Sequence, residues 1–357
     1  GKKICRTIIT NNYTYGLEIP ASVIAVDGIC GPLLAGCKLN PPSPPENSMS
    51  EAIQIRLGGY GPPETSFSAA LKFIGDRLEA DFGSDVDVKY VWNIMDLGYL
   101  GKDILWLVES GLLSAGYQSS SYLTDRVAEL GFIDLPFLFE NNGHARANMD
   151  GVLGDYLTTK IEARTNFRIL GYFENGFRHI SNRLRAVRSP ADLASMTIRV
   201  LPSAVHEKTF QLLGAAPRQM DLTEAIAGVI GGTLDAQENP FANTVTYGVH
   251  HHHPYHTMSG HFYLSRPLFA NRTQFESWPK DLRCAFAKAT QDAVRFQRNL
   301  AEAEAVDARR AIEDAGGEIA ELSQAEHAAF AAAVAPMLDD ARSDYGAEMF
   351  DLMKGKP

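Results

Sequence analysis

The chain has 357 residues, 45% of them apolar and 21% charged, with a net charge of −10 at pH 7. That length exceeds one ordinary compact core and predicts two α/β domains or a single large one. The acid excess excludes nucleic acid as a partner, because neutralising phosphates takes Lys and Arg in excess. It leaves a small anion open, since one arginine can dominate its own pocket.

Residues 1–50 read differently from the rest. Residues 38–50 (KLNPPSPPENSMS) have the composition of an extended linker. Before them, Leu34-Ala35-Gly36-Cys37 resembles a bacterial lipobox, whose cysteine becomes the lipidated first residue of the mature protein. Asp27, Pro20 and Pro32 interrupt the apolar stretch leading to it. Residues 1–50 are therefore expected to be a leader and linker, processed or disordered. No run of about 18 uncharged apolar residues forms a membrane span. The cysteines Cys5, Cys30, Cys37 and Cys284 show no spacing that reads as a zinc site.

From residue 52 the pattern becomes regular. Residues 53–57 alternate as a strand and run into Gly58-Gly59-Tyr60-Gly61-Pro62-Pro63. Phe67, Leu71, Ile74 and Leu78 then recur at helical spacing. A strand follows over 86–91, a helix over 102–110 and a buried strand over 112–117. This βαβα order predicts a parallel sheet covered by helices, with ligands at the C-terminal ends of its strands. The loops 58–66 and 117–122 thereby become candidate pocket walls.

A second series begins with a strand over 168–173, followed by Gly176-Phe177-Arg178. A capped short helix is predicted at 189–193, a strand at 197–200, helices at 203–213 and 221–230, and a strand at 233–236. Residues 279–315 form one unbroken helical pattern, roughly 50 Å long at about 1.5 Å per residue. A helix of that length is expected to lie across two domains.

Three segments carry the functional signal: Gly176-Phe177-Arg178-His179, Ile198-Arg199-Val200-Leu201-Pro202-Ser203 and Asp235-Ala236-Gln237-Glu238-Asn239-Pro240. With residues 133–139 (IDLPFLF) and Trp278-Pro279-Lys280-Asp281-Leu282, their order resembles the solute-binding proteins of tripartite ATP-independent periplasmic (TRAP) transporters. The resemblance covers roughly residues 52–350. It implies a two-lobed periplasmic binding protein fold, with a cleft between α/β lobes and a long helix spanning both. Lobe I is expected over 51–174 plus 264–303, lobe II over 175–263 plus 304–350, without one continuous sheet through both. The family's carboxylate-binding arginine matches Arg199, its second pocket arginine Arg178, and its anion-binding asparagine Asn239.

Arg199 stands out on physical grounds too. It sits between Ile198 and Val200 in an apolar strand, and a buried guanidinium requires an anionic partner, from a ligand or from an internal acid. Arg178 lies near Arg183, Arg185 and Arg188 and could belong to a solvated basic stretch. Asn239 could equally cap the helix that follows. Softer candidates are Glu64 and Thr65 at the start of the first helix, Tyr117, Gln118 and Ser119 at a strand end, and Phe173 and Phe241 as aromatic walls. With Tyr60, these rings would favour a monocarboxylate with an apolar or aromatic body.

The run His250-His251-His252-His253, with His256, invites a metal-dependent enzyme as an alternative. Consecutive residues cannot converge on one ion, however, so a solvent-facing loop is expected. His261 is a candidate to touch the cleft. No P-loop, GxSxG, HExxH or GxGxxG motif is present, and neither catalysis nor a cofactor is expected. The implied role is periplasmic capture of a small organic acid and its delivery to the integral-membrane subunits of a TRAP transporter, as a monomer or dimer and with lipid anchoring through Cys37 as an option. A sensor subunit of the same fold is the other alternative.

Overall fold

The computed structural model describes residues 52–353. The expected leader and linker over 1–50, and Cys37 within it, lie outside the described residues. Strand β1 (Ile53–Gly58) leads into helix α1 (Ser66–Phe82). Thr65 caps that helix by accepting from the Ser68 amide, and Gly83 ends it at φ +52°. Its buried stripe of Phe67, Ala70, Leu71, Ile74 and Leu78 is the periodicity seen in the sequence. Then come β2 (Val86–Val91), α2 (Ile104–Glu109), β3 (Ala115–Tyr117), α3 (Asn142–Met149) and α4 (Val152–Arg164).

Strand β4 (Phe167–Asn182) is followed by β5 (Thr197–Val200), α5 (Ala204–Leu212), β6 (Ala216–Gln219), α6 (Leu222–Ile230), β7 (Ala236–Asn239) and α7 (Phe241–Thr246). Strand β8 (Tyr255–Asn271), α8 (Arg272–Ser277), α9 (Lys280–Asp314), β9 (Glu318–Glu321), α10 (Gln324–Asp344) and α11 (Ala347–Asp351) complete the order.

Hydrogen bonding links the strands in the order β2-β1-β3-β8-β4-β7-β5-β6, with β9 on β8. The expectation that the sheet would break between the lobes is thereby corrected. The reason lies in β4 and β8, of 16 and 17 residues, which pair antiparallel along nearly their whole length. One end of this ribbon carries β3, β1 and β2; the other carries β7, β5 and β6 on one side and β9 on the opposite side. Two parallel half-sheets thus share two long crossing strands. Three register shifts interrupt the ribbon, at Ile169/Gly171, Glu174/Gly176 and Arg178/Ile180. Gly176 sits at the middle one with φ +87°, a backbone conformation that favours glycine. These bulges hid the strand from its alternation, which is why the sequence predicted only 168–173.

Helix α9 has 35 residues and spans both halves. Near its middle, Phe296 stacks on Phe73 of α1 with ring centroids 5.3 Å apart. Toward its end, Ala308 and Ile312 pack on Phe241 of α7. The segment after β3 crosses as well: Phe132 meets Tyr345 and Phe350 edge-on, and Phe137 meets His327. Among the described residues, no helix is long and apolar enough to cross a membrane.

Candidate functional site

Two parallel pairs of strands, β1 with β3 and β5 with β7, end at one cavity. Each contributes residues at or just past its C-terminal end: Tyr60 after β1, Gln118, Ser119 and Tyr122 after β3, Leu201 after β5, Asn239 and Asn243 at and beyond β7. The crossing strands add Asn175, Arg178 and Arg266, and Arg199 closes the wall from β5. This is where a twisted α/β sheet offers open loop ends and unsatisfied helix N-termini to a ligand.

Arg199 is 2% exposed. Its Nε and Nη2 donate to the Met220 carbonyl at 3.1 and 3.0 Å, and Nη2 also donates to the Tyr122 hydroxyl at 3.0 Å. Burial pushes the Tyr122 phenol up to about 12 against the pull of Arg199, so it stays a neutral hydroxyl. Among the described residues no carboxylate pairs with Arg199; the internal salt bridge that would have made it structural is not what the fold provides.

Arg178 differs. It is 1% exposed, not part of a solvated stretch, and Glu238 grips it. Its Nε and Nη2 donate to the two carboxylate oxygens, Nη2 to Oε1 at 2.9 Å, and Nη2 donates to the Glu238 carbonyl as well. Burial alone would raise the Glu238 pKa; Arg178, assisted by His261, instead holds it well below the usual carboxylate range. The pair is internally neutral, so the positive charge of the cavity comes from elsewhere. His261 supports this pair and does not line the cavity: its Nδ1 shares a 2.7 Å hydrogen bond with Ser259 and its Nε2 lies 3.5 Å from Glu238.

Asn239 makes no cap on α7, whose N-cap is Pro240. Its Nδ2 donates to Gln237 at 2.8 Å, and its Oδ1 accepts from Asn243, which also donates to Asn175 at 3.1 Å. The far end of this amide chain, Asn175 Nδ2, is buried without a partner, as are Ser119 Oγ and Arg266 Nε. Three orphaned polar atoms around one cavity are costly unless something polar meets them. Gln118 is committed to structure, donating to the Gly101 carbonyl and accepting from the Ser119 amide, both at 2.8 Å.

The remaining candidates fall away from this wall. Thr65 and Tyr117 line only a small extension of the cavity beyond Arg266. Glu64 is exposed, because the helix it precedes turns that position outward. Phe173, fully buried, packs behind Phe67 and Tyr117. Phe241 faces a separate cavity on the other side of Asn175 and Asn243, against His179. Of the four rings expected to wall the pocket, Tyr60 lines it and Tyr117, Phe173 and Phe241 do not; Tyr122 and Tyr247 join Tyr60, all three carrying hydroxyls, and the aliphatic lining is Leu201 and Leu222. Sequence reasoning missed Arg266, Tyr122, Tyr247, Asn175 and Asn243. Tyr122 ends the loop 117–122 that the sequence already marked as a pocket wall, and Arg266 carried a signal as a lone charge in the apolar run 262–270.

The histidine run is only partly solvent-facing. His251 and His252 are exposed and His250 half-buried, but His253 and His256 are buried, with His253 Nδ1 3.0 Å from Ser181 Oγ. The helical turn Val249–His251 rotates His253 under β4, and His256 points inward from β8. Among the described residues no group of three or more His, Cys, Asp or Glu is arranged to hold a metal ion.

Two half-sheets crossed by paired strands and one long helix, with a buried unpaired cation in the cavity between strand ends, define a two-lobed ligand-binding protein. Over residues 62–344 the chain matches the DctP family, the bacterial extracellular solute-binding proteins of family 7, and it belongs to that family. A solute-binding protein of Verminephrobacter eiseniae is 29% identical over 300 residues, which is 84% of this chain and 81% of that one. The solved structure of the sugar acid binding protein DctPAm from Advenella mimigardefordensis, in complex with galactonate, superposes with a TM-score of 0.79 at 27% identity, covering 84% of this chain and 96% of that one. A TRAP periplasmic solute-binding protein from Polaromonas sp. JS666 shares the fold, with a TM-score of 0.80 at 23% identity over 85% of this chain and 99% of that one.

Proposed function

We propose that this protein captures a small hydroxylated organic acid outside the cytoplasm, in the periplasm, and hands it to the membrane subunits of a TRAP transporter without chemically changing it. The single observation carrying this is Arg199, a buried guanidinium with no acid of its own in a cavity whose wall also presents amides and hydroxyls. A guanidinium fork matches a carboxylate in two parallel hydrogen bonds and keeps its charge when desolvated. The amides of Asn175, Asn239 and Asn243 and the Ser119 hydroxyl suit the hydroxyls of a sugar acid, and the relative solved with galactonate supports that class.

The lobes follow from the same proposal. Lobe I comprises 51–174 plus 264–303 and lobe II 175–263 plus 304–350, and closing them around the acid buries its charge. A thermal-shift screen over organic acids tests the function. Because stabilisation follows RT ln(1 + [L]/Kd), a micromolar ligand at millimolar concentration adds about 4 kcal/mol. Stabilisation by hydroxylated acids, with the acid recovered unchanged, is the expected result; stabilisation by none of them, or turnover of the acid, overturns it.

A further inference from the structure

A second cavity, of about 200 Å³, lies between the middle of the crossing ribbon and α9, on the far side of Asn175 and Asn243 from Arg199. Helix α9 touches α1 through Phe296 and α7 through Ala308 and Ile312. Between those contacts it presents Ala301 and Ala305, one helical turn apart, and their small side chains leave the space open. Apolar cavities of about 150 Å³ take up a benzene ring, so there is room here for a body of that size. The space is not clearance that closing the cleft removes. It persists with Asp221 bonded across to the Gly101 and Lys102 amides.

The chemistry of this cavity is opposite to that of the arginine wall. Phe67, Phe177 and Phe241 supply aromatic rings, and burial holds the His179 imidazole at about 3, hence neutral. Arg309 is neutralised by Glu313 and Glu321, at 3.1 and 2.6 Å. A single guanidinium, Arg146, serves both Glu174 and Glu302. The third carboxylate on the lining, Glu304, has no base within ion-pair distance among the described residues. It accepts from the Ser66 amide at 2.5 Å, and Arg266 acts on it only from farther off. Burial raises the Glu304 pKa, as it does for a carboxylate whose charge is not met. Two amide atoms of the lining are also buried without a partner, Asn142 Oδ1 and Asn175 Nδ2. Asn175, 8% exposed, lines both cavities, and its two N–H bonds can serve one solute in each.

We propose that this cavity is a second binding site, for a protonated amine with a ring-sized apolar body, the ammonium meeting Glu304 and the body lying among Phe67, Phe177 and Phe241. An ammonium supplies the counter-charge that Glu304 lacks and donors for the orphaned Asn142 oxygen, and aromatic rings attract a cation through their quadrupoles. Neither Glu304 nor these three rings line the arginine cavity, so the site is independent of acid capture and takes a solute of the opposite charge.

Calorimetric titration with phenethylamine and with 2-phenylethanol, which carries a hydroxyl in place of the ammonium, tests the site. Wild type is expected to bind the amine at least about tenfold tighter than the alcohol. Glu304→Gln keeps an acceptor for the Ser66 amide but removes the charge. It should bring the amine to within about threefold of the alcohol while leaving the alcohol affinity as it was. Ala301→Phe fills the cavity and should abolish binding of both, and circular dichroism checks that each variant folds. No binding of the amine by wild type, or equal affinity for amine and alcohol, overturns the proposal. So does a Glu304→Gln variant that holds the amine as tightly as wild type, or a folded Ala301→Phe variant that still binds it.

Discussion

Arg178 and Glu238 face each other inside the fold, Nη2 donating to Oε1 at 2.9 Å, with neither side chain more than 1% exposed. The pair joins β4 to β7 where the crossing ribbon meets the second half-sheet. It also separates two kinds of buried arginine. Arg178 has an acid of its own; among the described residues Arg199 and Arg266 have none.

That distinction predicts opposite stability effects. Arg178→Ala leaves the Glu238 carboxylate buried and unpaired and should cost about 3–5 kcal/mol. Arg199→Met removes a buried charge with no acid and should cost far less, or stabilise the ligand-free protein. Urea unfolding of both variants without ligand measures the difference. Comparable losses in the two would remove the contrast on which the charge assignment depends.

The histidines make stability depend on pH. Burial lowers His253 to about 3 and His256 to about 4, from the ordinary value of 6.5. Below pH 6.5 the unfolded chain takes up protons that the folded state refuses. Stability is therefore fully present above that value and declines as pH falls toward the folded pKa values, by on the order of 1 kcal/mol per pH unit for each histidine. The melting temperature should fall between pH 7 and pH 5, and His253→Gln with His256→Gln should flatten the slope. A wild-type profile flat over that range contradicts the burial of these rings. The exposed His251 and His252 can be replaced by Ser with acid affinity unchanged to within about threefold.

Asp221 ties the proposed lobes together. It caps α6 and, from the same carboxylate, accepts the Gly101 and Lys102 amides at 3.1 and 2.9 Å. Asp221→Ala should cost about 1 kcal/mol for the lost cap. It should also speed ligand dissociation about tenfold by loosening the closed cleft. Stopped-flow dissociation from wild type and variant provides the check, and unchanged off-rates would show that these bonds do not hold the closed form.

Much of this was legible in the sequence, for local reasons. Strands β2 and β5 and helix α9 follow from alternation and from helical periodicity, and Asp221 and Thr65 announce the helices they cap. Arg199 was visible because a charge inside Ile-Arg-Val has few explanations. Arg266 had the same signature, but Pro267 beside it suggested a strand end, and only pairing with β4 shows that β8 continues through it. Tyr122, Asn175, Asn243 and Tyr247 are ordinary polar residues until chain crossings more than 50 residues apart bring them to one cavity. Glu64 and Phe241 were placed in the right loops on the wrong face, since a loop's position in a sheet does not fix where its side chains point.

The central claim, that Arg199 pairs directly with a ligand carboxylate, is tested most directly by calorimetric titration of wild type, Arg199→Ala and Arg199→Lys with the best acid from the thermal-shift screen. Removing one partner of a desolvated, hydrogen-bonded ion pair costs about 2–5 kcal/mol, hence about thirty- to several-thousand-fold in affinity. Arg199→Lys should bind poorly as well, because an ammonium keeps the charge but loses the fork. Both variants should keep the wild-type circular dichroism spectrum. Binding of the acid by Arg199→Ala as tightly as by wild type would contradict the account.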